Sequence, residues 1–267
     1  MSTAVALDRV SFRYGPRLPR AVCEITLDIA AGAATAILGP NGSGKSTLLH
    51  LILGLHMPQQ GSVRLMDGAC EPGAPGVSSR VVGLVPQDEP VAFNLNVLEY
   101  VLLGRAPYLG LLQRPTARDR AVAFQALETV GIRDLWDRST PTLSGGERQL
   151  ATMARALTQE PSILLLDEPT SHLDVANARR VVGIIRRVLE TGRTVIFTTH
   201  DPNAAAAAAD EVVLMRQGCV LGAGRVRETL TPASLSATYD VAISVLNEGR
   251  SRPLVELYDQ GGKSWNP

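Results

Sequence analysis

Residues 39–47 read Gly-Pro-Asn-Gly-Ser-Gly-Lys-Ser-Thr and lie between two stretches of opposite character. Before them, residues 33–38 are few and apolar but for Thr35, as in a strand buried on both faces. After them, residues 45–53 carry apolar side chains at helical spacing and stop at Gly54. A strand, a glycine-rich turn and a helix in that order point to a parallel α/β sheet with an anion cradle at the strand's end. Glycine lets the backbone curl until its N–H groups converge on phosphate oxygens, and the helix N-terminus adds a favourable dipole. Lys45 supplies a mobile point charge to the outer phosphates, and Ser46 offers a hydroxyl to Mg²⁺. The candidate phosphate-binding residues are therefore Gly39, Pro40, Asn41, Gly42, Ser43, Gly44, Lys45, Ser46 and Thr47.

Composition sharpens that assignment. The 267 residues carry 26 basic and 26 acidic side chains, and of the basic ones only Lys45 and Lys263 are lysines. A chain that otherwise uses Arg has Lys at position 45 because a forked guanidinium does not fit a tight phosphate loop. The balanced charge leaves no chain-wide field for nucleic acid or an anionic lipid surface, so anion binding must be local. No apolar stretch approaches the roughly 20 residues that cross a bilayer, and no signal peptide is visible at the N-terminus. Cys23, Cys70 and Cys219 are few and far apart, and read as small buried apolar residues of a reduced, cytosolic compartment.

Along the rest of the chain, residues 4–14, 24–29, 61–66 and 80–85 have strand character, and a helical block runs from about 96 to 159. Strands return at 163–166 and 194–199 with a helix over 175–189 between them. Residues 211–215 and 220–221 form a hairpin about Gln217-Gly218, and the alanine run 204–209 favours a short helix. Beyond Arg225 the pattern weakens to short helices at most and a polar end.

The run Ile163-Leu164-Leu165-Leu166-Asp167-Glu168 is a buried strand ending in two acids. Successive side chains diverge at a strand's end, so the two carboxylates can take different work. Asp167 is placed to hold Mg²⁺ and Glu168 to polarise an attacking water. A phosphate loop alone leaves kinases, GTPases and ATPases open.

Leu143-Ser144-Gly145-Gly146-Glu147-Arg148-Gln149 then precedes a helix, and with it the chain resembles the ATP-binding cassette (ABC) ATPases over roughly residues 4–225. The resemblance implies a P-loop NTPase cassette with a RecA-like parallel-sheet core, an N-terminal antiparallel β subdomain and an inserted helical subdomain. It implies that Ser144, Gly145, Gly146 and Glu147 meet the ATP of an opposite subunit, hence a head-to-tail homodimer. Tyr14 matches the aromatic that stacks on adenine, and Gln87 the loop glutamine that senses Mg²⁺ and the attacking water. His200 matches the switch histidine at the γ-phosphate, and Ser171-His172-Leu173-Asp174 the loop that communicates across the dimer. His172 departs from the small residue common there. Catalysis then falls to Glu168, His200 and Gln87, with Ser46, Gln87 and Asp167 toward the metal.

The expected division is one ATPase domain over residues 1–240, a helical subdomain over 88–160 and a C-terminal extension over 225–267. Residues 93–108, including Gly104-Arg105-Ala106-Pro107-Tyr108, and the segments at Thr231 and Tyr239-Asp240-Val241 resemble importers for iron–siderophore, haem and cobalamin. Zinc, manganese, molybdate and tungstate importers are neighbouring possibilities. The importer resemblance implies integral-membrane permease subunits and, indirectly, a substrate-binding protein as partners. It implies a peripheral position on the cytoplasmic face of the inner membrane, without nucleic acid. A soluble ATPase of iron–sulfur assembly, or an export ATPase, is the alternative.

Overall fold

The computed structural model describes residues 2–66, 78–87, 94–110, 112–171, 173–247 and 251–257. Cys70, Asp88, Phe93, His172 and Lys263 lie outside them. In chain order the elements are β1 (Thr3–Phe12), β2 (Val22–Ala30), β3 (Ala34–Leu38), α1 (Lys45–Leu53), β4 (Gln60–Leu65), α2 (Ser78–Val81) and β5 (Val82–Val85). Then come α3 (Val97–Leu102), a 3₁₀ stretch Leu103–Tyr108, α4 (Ala117–Val130), α5 (Gly145–Thr158), β6 (Ile163–Leu166), α6 (Val175–Glu190) and β7 (Thr194–Thr199). The chain continues with α7 (Pro202–Ala208), β8 (Glu211–Arg216), β9 (Cys219–Arg225), α8 (Val226–Thr229), α9 (Pro232–Tyr239), β10 (Ile243–Leu246) and β11 (Leu254–Leu257).

The main sheet has the order β5-β6-β7-β3-β8-β9, parallel from β5 to β8, with β9 antiparallel at the edge. Every residue of β3, β6 and β7 is buried, as expected of short runs that are apolar apart from threonines. Alternation along these strands feeds two cores. Ile37, Leu165, Ile196 and Val213 face α1 and the antiparallel sheet β2-β1-β4, while Leu38, Leu164, Phe197 and Leu214 face the helices of the other layer. The helix α6 shows how that layer is built. Val181, Ile184, Ile185 and Val188 repeat at helical spacing and are buried, and Asp174 caps the first turn at the Asn177 N–H.

Register sets the function of the sheet. Val85 lies opposite Leu166, Leu166 opposite Phe197, and Leu38 opposite Thr199. Four neighbouring strands therefore end within two residues of one another and deliver Gln87, the Asp167–Glu168 pair, His200 and the phosphate loop to one edge, where ligands meet open α/β sheets.

Three expectations are corrected. Residues 80–85 were expected as strand throughout, but Arg80 and Val81 close a helical turn before β5. β6 offers only four partners, Ile163 to Leu166, so nothing remains for them to pair with. The tail was expected to hold short helices at most, yet β10 and β11 form an antiparallel hairpin beyond α9. Its Ile243 and Val255 are buried against the helical-side core. Of the cysteines expected to be buried, Cys219 is exposed and Cys23 only partly covered. Cys219 opens edge strand β9, whose residues alternate between exposed and half-buried, and it falls on the outward phase.

Candidate nucleotide site

The nine residues of the phosphate loop wrap the start of α1, and two of them must be glycine for reasons of space. A Cβ on Gly39 would lie 2.1 Å from the Met215 carbonyl oxygen. Gly44 has φ +99° and would bring a Cβ within 2.2 Å of the Ala21 carbonyl. The loop is braced from outside by the β8–β9 turn, where the Gly218 N–H donates to Ser43 O at 3.0 Å. Asn41, Gly42, Gly44, Lys45, Ser46 and Thr47 line a cavity of about 830 Å³, whose opposite wall includes Gln87, Glu168 and His200. Gly39, Pro40 and Ser43 shape the loop from behind; Ser43 N donates to Pro40 O at 3.2 Å.

Lys45 is buried at the centre. Its Nζ donates to Gly39 O at 2.9 Å and Pro40 O at 3.1 Å, and lies 3.5 Å from Glu168 Oε1. Burial pulls its pKa below the ordinary lysine value, opposed by the carboxylates of Glu168 and Asp167. Ser46 Oγ donates to Asp167 Oδ1 at 3.0 Å. A hydroxyl and a carboxylate in contact are the hard oxygen donors that suit Mg²⁺, so the chemistry of this pair fits that ion.

Asp167 and Glu168 diverge as the strand-end argument expects, and the structure supplies the means. Glu168 has φ +45°, an uncommon conformation for a non-glycine residue that turns its side chain out of line with the strand. Its Oε2 lies 3.0 Å from His200 Nδ1, so the carboxylate bridges Lys45 and His200. The side chain of Thr198, fully buried on β7, ties both acids down. Its Oγ1 donates to Asp167 Oδ1 at 2.5 Å and accepts the Glu168 N–H at 2.8 Å. Nothing in the sequence pattern singled out Thr198, which reads as one more inward residue of a buried strand.

Tyr14 stands at the rim, 57% exposed, with its hydroxyl 3.1 Å from Thr47 Oγ1. Phe12 and His56 meet its ring edge-on at 5.1 and 5.4 Å, so its orientation is set while its outer surface stays open to a flat ring. His50 and His56 belong to this aromatic cluster, in keeping with a structural role; burial lowers the His50 pKa.

Ser144, Gly145, Gly146 and Glu147 are not among the residues that line the cavity. They form the start of α5, where Ser144 Oγ accepts the Glu147 N–H at 3.3 Å and Glu147 Oε2 accepts the Ser144 N–H at 2.8 Å. This capping box lowers the Glu147 pKa, chiefly through the Ser144 backbone bond, and leaves Ser144 and Gly145 exposed with the helix's first N–H groups behind them. In Gly104–Tyr108, the Arg105 side chain points inward. It is 5% exposed, pairs with Asp119 and Glu160 at 2.8 Å each, and lies 4.0 Å over the Tyr108 ring.

Comparison with known proteins places this geometry. The family model described as "ABC transporter" matches residues 22–171. The manganese transport system ATP-binding protein of Synechocystis sp. is 34% identical over 238 residues, covering 88% of this chain and 89% of that protein. The molybdate import ATP-binding protein of Haemophilus influenzae is 35% identical over 240 residues, covering 90% and 89%. A solved metal-chelate type ABC transporter in an inward-facing conformation matches with a TM-score of 0.85 at 32% identity, covering 97% of this chain and 98% of that one.

Proposed function

The chain belongs to the ABC transporter family as an ATP-hydrolysing subunit of the import type, and from that premise we propose how it works and what it drives. Two copies associate head to tail, each cavity closed by Ser144, Gly145 and Gly146 of the other copy. The exposed, capped start of α5 outside its own cavity supports this, since free N–H groups at a helix start favour a phosphate.

Phosphoryl transfer to water needs positioning and charge neutralisation. Tyr14 stacks on the adenine, the loop amides and Lys45 hold the β- and γ-phosphates, and Ser46, Asp167 and Gln87 would hold Mg²⁺. When bound, that ion neutralises charge across the two outer phosphates. As the γ-phosphate draws Lys45, Glu168 is released to accept the proton of the attacking water, and His200 steadies the phosphate. The observation that carries the reading is Glu168 between Lys45 and His200, at 3.5 and 3.0 Å.

The work done is substrate uptake through separate permease subunits, with the chain peripheral on the cytoplasmic face of the inner membrane. No described helix is long and apolar enough to cross a membrane. The cargo class is an iron–siderophore, haem, cobalamin or metal species delivered by a binding protein. The metal-chelate neighbour and the manganese relative support it. Glu168→Gln is expected to bind ATP and lose turnover. If that variant hydrolyses ATP at the parental rate, the role given to Glu168 is wrong. Co-expression with the membrane subunits and purification in detergent tests the docking. Complete failure to co-purify would contradict it.

A further inference from the structure

The segment 200–203, which carries the switch histidine, is held by the far end of the chain. Tyr239, the last residue of α9, donates its hydroxyl to the His200 carbonyl oxygen at 2.7 Å. Three residues on, the Asn203 side chain makes a two-point pair with β11: Nδ2 donates to Val255 O at 3.0 Å, and the Val255 N–H donates to Oδ1 at 2.8 Å. The elements that bring these groups are themselves anchored. Leu235, Ile243 and Val255 are buried in the helical-side core, and Arg216 holds the end of α9 through the Ala237 carbonyl at 2.6 Å and Asp240 at 3.2 Å.

His200 needs such a hold. Its side chain is 53% exposed, so packing does not fix the imidazole, and its 3.0 Å approach to Glu168 depends on where the backbone stands. We propose that Tyr239 is a positioning residue for ATP hydrolysis, and that α9, β10 and β11 form a splint that fixes the backbone at His200 and so aims its imidazole. The inference rests on the reading of His200 as the residue that steadies the γ-phosphate. Tyr239 is suited to this. Burial, followed by the carboxylates of Asp201 and Glu168, pushes its hydroxyl well above the ordinary tyrosine value, so it stays protonated and can only donate to the carbonyl at working pH.

The test is steady-state hydrolysis by the full chain carrying Tyr239→Phe, which keeps the ring and removes only the hydroxyl. One lost hydrogen bond is expected to lower kcat about 3- to 10-fold, with KM for ATP within about twofold and nucleotide-binding stoichiometry unchanged. Asn203→Ala, which removes both bonds to Val255, is expected to act in the same direction. A parental kcat in Tyr239→Phe, or a fall matched by lost binding stoichiometry, would overturn the positioning role. His200→Ala, measured alongside, separates the two claims. If it keeps parental turnover, the reading of His200 fails and the splint with it. If it is inactive while Tyr239→Phe is parental, the splint alone is wrong.

Discussion

Replacing Thr198 by Val changes one oxygen for a methyl in a fully buried side chain, and that oxygen serves both strand-end acids. The substitution nearly conserves volume, so its effect isolates the hydrogen bonds. The Glu168 N–H loses its acceptor, and an orphaned buried amide costs about 1–3 kcal/mol. Asp167 loses a 2.5 Å donor to a carboxylate, a class of bond that contributes about 1.5–3 kcal/mol. The two losses share one neighbourhood and do not add fully, so a destabilisation of about 3 kcal/mol is expected. At about 2–4 °C per kcal/mol, Tm drops by roughly 6–12 °C.

Catalysis is expected to suffer separately from stability. Glu168 holds a positive φ against its intrinsic preference, and Thr198 supplies the bond that keeps its N–H there. With the bond gone, turnover falls about 10- to 100-fold, while ATP affinity, carried by Lys45 and the loop, changes little. Thermal unfolding followed by circular dichroism, together with steady-state hydrolysis, reads both quantities. Thr198→Ser restores the hydroxyl and is expected to recover most of the rate. A Thr198→Val chain as stable and as active as the parent would refute the role assigned to this residue.

Two further outcomes follow from other contacts. Bonds from the Thr116 hydroxyl and backbone N–H, and then from Arg105, hold the Asp119 pKa at about 2, below its ordinary 3.8. A depressed carboxylate stabilises the fold fully above its unfolded value and loses that contribution as pH falls through about 2. Asp119→Asn is therefore expected to cost about 3 kcal/mol near neutrality and to flatten the acid limb of a stability–pH profile below about pH 4. At the rim, Tyr14→Ala removes the stacking face and is expected to weaken ATP binding about tenfold by equilibrium titration. Tyr14→Phe keeps the face and should stay within about threefold.

The parts legible in the sequence were those encoded by neighbours in the chain. The Gly39–Thr47 loop, the apolar run before it and the helix after it are contiguous, so local pattern was enough to place β3 and α1. The acids after β6 were legible for the same reason, since they follow a short, fully apolar run whose end is an edge of the sheet, whereas His200 was singled out by the family resemblance. What stayed hidden depends on which distant residues meet. Thr198 looks like any inward threonine until register brings its hydroxyl to Asp167, 31 positions away. Tyr239 reaches His200 across 39 positions, and the β10–β11 hairpin that grips Asn203 has strands of four residues, too short to show alternation. Partners and strand phase, not local pattern, also decide the burial of Arg105 and the exposure of Cys219. The arginine is buried because two carboxylates and a tyrosine ring surround it, and the thiol is exposed because edge strand β9 turns that phase outward.

The central claim, that each ATP is hydrolysed between the phosphate loop of one chain and the α5 start of another, is tested by mixing two inactive variants. Lys45→Ala removes the phosphate-loop charge, and Gly146→Asp places a carboxylate where the opposite copy's γ-phosphate is expected. Each homodimer has two damaged sites. A mixed dimer concentrates both lesions in one site and leaves the other intact, so an equal mixture should recover up to about a quarter of the parental rate. A mixture no more active than its separate components, with mixed dimers shown to form, would contradict the shared site.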